Sequence, residues 1–176
     1  MEVFEAIKNR RSIRRFRKQE IEKEKIEKIL EAATYAPSSG NLQNWEFILV
    51  KDENSKKEIA KISLNQKFIE EADFLIIVCS NQEKISWYGE RGKKLYAIQN
   101  CAAAIQNMLL AAHSLGIGSC WVGAFDDLAL IKFLNLPNHI LPQAILAFGY
   151  PAEKPKMPER IDWKKITFKE KYGRKI

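Results

Sequence analysis

The chain predicts an α+β domain, and three observations lead there. Segments of helical period and short apolar runs of strand type follow one another without a regular strand–helix–strand rhythm, which argues against a doubly wound parallel sheet. At 176 residues, 46% hydrophobic and 10% aromatic, the chain has the length of one domain and the apolar material for a real core. A membrane span is excluded, because the longest apolar stretches, Cys101–Ile105 and Met108–Ala112, fall far short of the ~20 residues a bilayer requires.

Each element has its own signal. Val3–Lys8 reads as a short helix leading into the basic turn Arg10-Arg11-Ser12-Ile13-Arg14-Arg15-Phe16. Glu22–Tyr35 is an amphipathic helix, with Ile26, Ile29, Leu30 and Ala33 on one face. It stops before Pro37, whose ring disfavours helix in the preceding residue. Pro37-Ser38-Ser39-Gly40-Asn41 is turn-rich, and Trp45–Val50 follows as a strand. Lys56–Ser63 and Gln66–Ala72 read as helices, and Phe74–Cys79 as a buried strand. Asn81–Gly92 is polar, holds two glycines and the pair Trp87-Tyr88, and reads as a loop or lid.

Lys93–Leu115 predicts one helix of ~35 Å, apolar on nearly every face. Such a helix must be buried all round, and in so short a chain a subunit interface is the natural cover. Gly116 ends it. Ser119–Ala124 is a strand or loop, Asp126 caps a helix to about Leu134, and Gln143–Phe148 is a strand. The tail holds Pro151, Pro155 and Pro158, then Trp163–Phe168 with strand-like character. Its Ile161, Trp163, Ile166 and Phe168 need a surface to pack on.

Charge is concentrated at the ends. The chain carries 29 Lys+Arg against 22 Asp+Glu, a formal charge of +7. Met1–Lys18 has seven basic and two acidic residues, and Glu153–Ile176 nine and four. The middle is slightly acidic. Ends that converge would form one compact anion site; ends that do not would be solvated termini. Three cysteines, Cys79, Cys101 and Cys120, make an odd number with no CxxC, so a disulfide framework or zinc site is not expected and a reducing cytoplasm is. Two histidines leave little for a metal centre, and the first residues show no apolar signal core.

Several chemistries lack their motifs. There is no GxGxxG after a strand, no GxxxxGK[ST], no HExxH and no GxSxG. Cys120 with His113 would make a thiol nucleophile and base, against the commoner role of a lone histidine as a buried or capping residue. Trp87 and Tyr88 beside basic ends would suit base stacking, but no nucleic-acid-binding pattern accompanies them.

Four segments carry more information. Arg10-Arg11-Ser12-Ile13-Arg14 suits a phosphate and an adjacent polar chain, since guanidinium forks bind phosphate oxygens in pairs. Ala36–Trp45 combines small residues, which allow backbone to approach a planar ligand, with the donors and acceptors of Asn41 and Gln43. Gly116–Phe125 is the third. Phe148-Gly149-Tyr150-Pro151, followed by Lys154, Lys156 and Arg160, is the fourth. In their order and separations, RRSIRRF, APSSGNLQNW, AAIQNMLLAAHSLGIGSCWVGAF and FGYPAEKP resemble the FMN-dependent nitroreductase-like flavoproteins over nearly the whole chain.

The resemblance implies a nitroreductase-like fold, a central and mostly antiparallel sheet flanked by helices. It implies an interlocked homodimer around the long helix, with two FMN sites at the interface. Residues 1–176 would be one FMN-binding domain whose tail, from about 151, packs on the partner subunit. NADH or NADPH would reduce the flavin, and a small electron-poor acceptor such as a nitroaromatic or quinone would reoxidise it. By position, Arg10 and Arg160 would hold the FMN phosphate, and Arg11 and Ser12 the phosphate and ribityl region. Arg14 would sit by the N1–C2=O edge, where a cation stabilises reduced flavin. Ser38, Ser39 and Asn41 would reach the ring from the other subunit, and Trp121, Val122 and Gly123 would present backbone N–H groups to N5 and O4. No catalytic side chain is expected, because the hydride chemistry belongs to the flavin.

Two departures stand out. Many relatives have Pro where this chain has Asn44, and the longest members carry a helical insertion for which 176 residues leave little room. The Asn81–Gly92 segment takes its place, and Trp87 or Tyr88 either covers the open flavin face and sorts substrates or anchors the loop. Related flavoproteins also perform reductive dehalogenation or fragment their own flavin, and these remain rival reactions on the same fold. A basic nucleic-acid-binding module is the non-enzymatic rival; neither nucleic acid nor membrane is the expected partner.

Overall fold

The computed structural model describes residues 1–176. Strand β2 (Phe74–Asn81) is buried at every position and lies inside a four-stranded sheet of order β1-β2-β4-β3, antiparallel throughout. The others are β1 (Trp45–Val50), β3 (Gly118–Val122) and β4 (Ile140–Gly149). Period-two alternation explains the continuous apolar run of β2. Phe74, Ile76 and Val78 face one core while Leu75, Ile77 and Cys79 face another.

The first core is covered by α2 (Lys23–Thr34) and α6 (Ala97–Ser114), which pack on each other and on the sheet. Ile26, Ile29 and Ala33 meet Cys101, Ala104, Ile105, Met108 and Ala112 there. The second lies under α3 (Glu53–Ile62), α4 (Phe68–Glu71), α7 (Asp127–Leu134) and the side chains of Ile13 and Phe16. Each large aliphatic or aromatic side chain fully buried there is worth about 1.5–3 kcal/mol relative to exposure. Helix α1 (Val3–Asn9) lies outside both cores, with only Ala6 buried.

Local chemistry explains where elements begin and end. Asp52 accepts from Ser55 N at 2.8 Å, so α3 starts three residues before its apolar periodicity. Asp126 caps α7 through Ala129 N at 3.0 Å, as its position predicts. Strand β4 also begins earlier than expected, running through Pro142 at a register shift opposite Val78/Cys79. A bulge is where a strand tolerates a residue without an N–H.

Three expectations are corrected. Asn81–Gly92 is not irregular throughout: β2 extends to Asn81, a 3-10 turn spans Ser86–Tyr88, and α5 spans Gly89–Arg91. The long helix starts later than Lys93, after a wide π turn over Gly92–Tyr96, because the chain closes on Tyr88 there; a Cβ on Gly92 would meet Tyr88 Cβ at 2.7 Å. Trp163–Phe168 is not a strand either. Asp162 caps Lys164 N at 3.0 Å and winds Trp163–Ile166 into a single helical turn, α8.

Within one chain α6 buries one face rather than its whole circumference. Ile98 is exposed and Ala102 and Leu110 are half-buried. Ile161, Trp163 and Ile166 are likewise uncovered by their own chain. No helix is long and apolar enough to cross a membrane.

Candidate active site

The basic ends converge. Their meeting place is made by two glycines paired across strands, Gly118 on β3 and Gly149 on β4. A Cβ on Gly149 would meet the Phe16 ring at 2.6 Å, and one on Gly118 would meet Ile13 at 3.0 Å. Ile13 and Phe16 therefore rest directly on the sheet where side chains would otherwise stand. Backbone bonds fix the seat: Ile13 N donates to Ser119 O at 2.9 Å, Arg17 N to Tyr150 O at 2.8 Å, and Ala152 N to Arg15 O at 2.9 Å. Arg14 N adds a 2.6 Å bond to Glu153 Oε1.

Just before that seat in the chain, Arg10 and Arg11 line a cavity of about 600 Å³ together with His113, Ser119, Glu153 and Lys154. The volume falls within the range of small-molecule sites. Its field is positive. Burial, then Arg11 and Arg160, hold the pKa of Arg10 below the usual guanidinium value, so Arg160 of the tail acts on the same spot. Burial followed by Arg10 and Arg11 keeps His113 below its ordinary value. Two buried polar atoms at this cavity, His113 Nε2 and Ser119 Oγ, have no hydrogen-bond partner. Orphaned buried polar atoms are costly, and beside a cluster of cations they are what an anionic ligand would satisfy.

Arg14, Trp121, Val122 and Gly123 lie at the open edge of the sheet. β3 is an edge strand, and Ser119 already turns its carbonyl outward to Ile13. Alternation then turns the backbone of Trp121 the same way, with Gly123 next and open space where its side chain would be. The Arg14 guanidinium lies 5.9 Å from the Phe68 ring centroid. Ser12 bridges to Ser119.

Ser38, Ser39 and Asn41 are placed elsewhere. Their loop rests on Asn100 near the start of α6, where Ser39 N donates to Asn100 Oδ1 at 3.1 Å. The arginine cavity rests on His113, near the end of that helix. The helical rise puts those two positions about 20 Å apart, so one chain does not bring the two groups together.

Sequence reasoning undervalued three features. His113 and Ser119 line the cavity, yet a single histidine and a strand serine carry no spacing signal. Gln66 Nε2 bonds both Ser63 O and Ala124 O, joining the turn before α4 to the segment after β3. That turn holds Leu64 and Asn65 at φ 58° and 57°, a strain no motif announces. The thiol–base alternative fails: burial pushes the Cys120 thiol up, and its Sγ hydrogen-bonds to the Trp121 carbonyl, at 3.9 Å, rather than to a histidine.

A family model described as the nitroreductase family matches residues 7–66 and 63–150. The chain belongs to the nitroreductase family. It is 38% identical over 168 residues to a Methanothermobacter thermautotrophicus protein named putative NADH dehydrogenase/NAD(P)H nitroreductase, covering 92% of this chain and 84% of that one. It is 30% identical to the FMN reductase (NADPH) of Bacillus subtilis, over 94% of this chain and 74% of the other. Among solved structures, the NADPH:FMN oxidoreductase of Vibrio harveyi complexed with NAD+ superposes with a TM-score of 0.90 at 25% identity. That match covers 97% of this chain and 77% of the Vibrio one. This nitroreductase-family chain is thus the shorter partner in each comparison.

Proposed function

We propose that the protein is an FMN-dependent oxidoreductase that takes hydride from NADH or NADPH and delivers it to small electron-poor acceptors such as nitroaromatics or quinones. The observation that carries this reading is the cation-rimmed cavity with its unpartnered His113 Nε2 and Ser119 Oγ. Its chemistry suits a phosphate monoester, and the relatives' names supply FMN and the nicotinamide donors.

The fold supports a division of labour. Arg10 and Arg160 would hold the phosphate, with Arg11 and Ser12 beside them. Arg14 and the outward backbone of Trp121 and Gly123 would meet the flavin ring, the cation at its electron-rich edge and the amides at N5 and O4, with Val122 between them turned toward β4 by the same alternation. When bound, FMN supplies the hydride acceptor and donor, so the chain contributes position and field. Ser38, Ser39 and Asn41 would complete the site from a second copy docked on the open face of α6. The 20 Å separation within one chain and the uncovered apolar residues of α6 and the tail support that arrangement.

The visible spectrum of purified, desalted protein tests the proposal, followed anaerobically with NADH and then NADPH. Flavin bands that bleach are the expected result. Colourless protein that also takes up no added FMN would overturn it.

A further inference from the structure

The loop assigned to the flavin ring is held in an uncommon shape. Gly40, Asn41 and Gln43 have φ of 57°, 55° and 45°. Glycine enters that region freely, asparagine at modest cost and glutamine seldom. Such residues persist where their surroundings over-determine them; here Tyr88 packs against Gly40, and one buried side chain from α6 bonds the loop. Asn100 Oδ1 accepts from Ser39 N at 3.1 Å and from Ser39 Oγ at 3.3 Å, while its Nδ2 donates to Asn44 Oδ1 at 2.7 Å. Asn44 O accepts from Asn81 N at 2.6 Å, anchoring the pair to the end of β2.

Both carboxamides are buried, Asn100 at 4% and Asn44 at 0% exposure, and Asn100 sits beside Cys101 in a helix that is otherwise apolar on this side. Burying an amide is unfavourable unless it is bonded, so the contribution of Asn100 is orientation rather than hydrophobic burial. The network also sorts the two serines. Ser39 commits its hydroxyl proton to Asn100, whereas Ser38 Oγ accepts from Gln43 N at 3.1 Å and keeps its own proton free to donate.

We infer that Asn100 is a positioning residue for the flavin site: its carboxamide, braced by Asn44, fixes the Ser38–Asn41 loop in its left-handed conformation and leaves Ser38 as the available hydroxyl donor. The inference rests on the assignment of that loop to FMN. Asn44, the departure from the proline common in relatives, becomes the brace that makes the Asn100 contact rigid.

Two measurements on the full chain, freed of flavin, test this: amide hydrogen exchange of residues 38–43, and titration with FMN followed by fluorescence and visible spectrum. Asn100→Ala should speed exchange in that segment at least about tenfold and weaken FMN binding about tenfold, as expected for losing bonds of this kind. It should also move the bound-flavin spectrum toward that of free FMN. Asn100→Asp keeps the acceptors for Ser39, and Asn44 can turn its unpartnered Nδ2 to donate to the new carboxylate, so slow exchange should return. Should Asn100→Ala fail to fold, Asn100→Ser, too short to reach Ser39, is read in the same way. Unchanged exchange, or faster exchange with unchanged FMN affinity and spectrum, overturns the inference. Uptake lost in Arg10→Ala but untouched in Asn100→Ala overturns this inference alone; wild-type protein that takes up no FMN overturns the flavin reading and this with it.

Discussion

Replacing Arg10 and Arg160 by alanine tests the converging ends directly. Arg10 is half-buried among like charges, with burial, Arg11 and Arg160 all opposing its charged form. Without an anion the cluster is therefore electrostatically unfavourable, and Arg10→Ala should leave the melting temperature of the flavin-free protein unchanged or slightly raised. With a phosphate present the balance reverses. A charge-assisted bond contributes about 1.5–3 kcal/mol, or about 10- to 100-fold in affinity, so Arg10→Ala should weaken FMN binding by that factor. Arg160 is exposed and screened by salt, so its single replacement should cost less, and more at low ionic strength. The assay is titration of flavin-free protein with FMN at two salt concentrations. Arg174→Ala, a tail cation paired with Glu170 at 2.8 Å, serves as the control and should change nothing. A folded double variant that retains stoichiometric FMN would refute the phosphate assignment and the reasoning from charge.

Four further outcomes follow from the geometry. Gly149→Ala places a methyl 2.6 Å from the Phe16 ring and should cost about 1–3 kcal/mol by overpacking, with FMN affinity falling too; Gly123→Ala meets open space, and an equal loss of melting temperature there would contradict this. His113 has its pKa lowered from 6.5 by burial and then Arg10 and Arg11, so below about pH 6.5 the unfolded chain binds a proton that the folded chain resists. Stability of flavin-free protein should be full above that pH and fall as pH drops through it; His113→Gln should flatten the profile, and an unchanged slope would exclude His113 as its source. Trp87 is 87% exposed, so Trp87→Ala should alter stability by less than about 0.5 kcal/mol while changing KM for aromatic acceptors. Tyr88 packs edge-on against Tyr96 at 5.3 Å and over Gly40, so Tyr88→Ala should cost on the order of 1–3 kcal/mol. Identical acceptor kinetics in Trp87→Ala would make the exposed ring irrelevant to substrate choice.

Trp87 and Tyr88 differ in their surroundings. Tyr88 anchors the segment against Gly40 and Tyr96, and Trp87 is left exposed. Sequence pattern does not separate adjacent aromatics, because which one turns inward depends on Gly40 and Gly92 leaving room for a ring.

Sequence alone determined what local forces determine: the strand over Trp45–Val50, the amphipathic α2, the caps at Asp126 and Gly116, and the imbalance that loads cations onto both ends. Those follow from side-chain period, capping and charge, which act over a few residues. Only the tertiary structure decided that the ends meet. That outcome depends on Gly118 and Gly149 falling opposite each other, a register set by the whole sheet. It also decided that His113 and Ser119 face the cations without partners, and that Ser38 and Arg10 stand at opposite ends of α6. Contacts between residues more than a hundred positions apart leave no periodic trace in a sequence, since their geometry exists only once the sheet has been assembled.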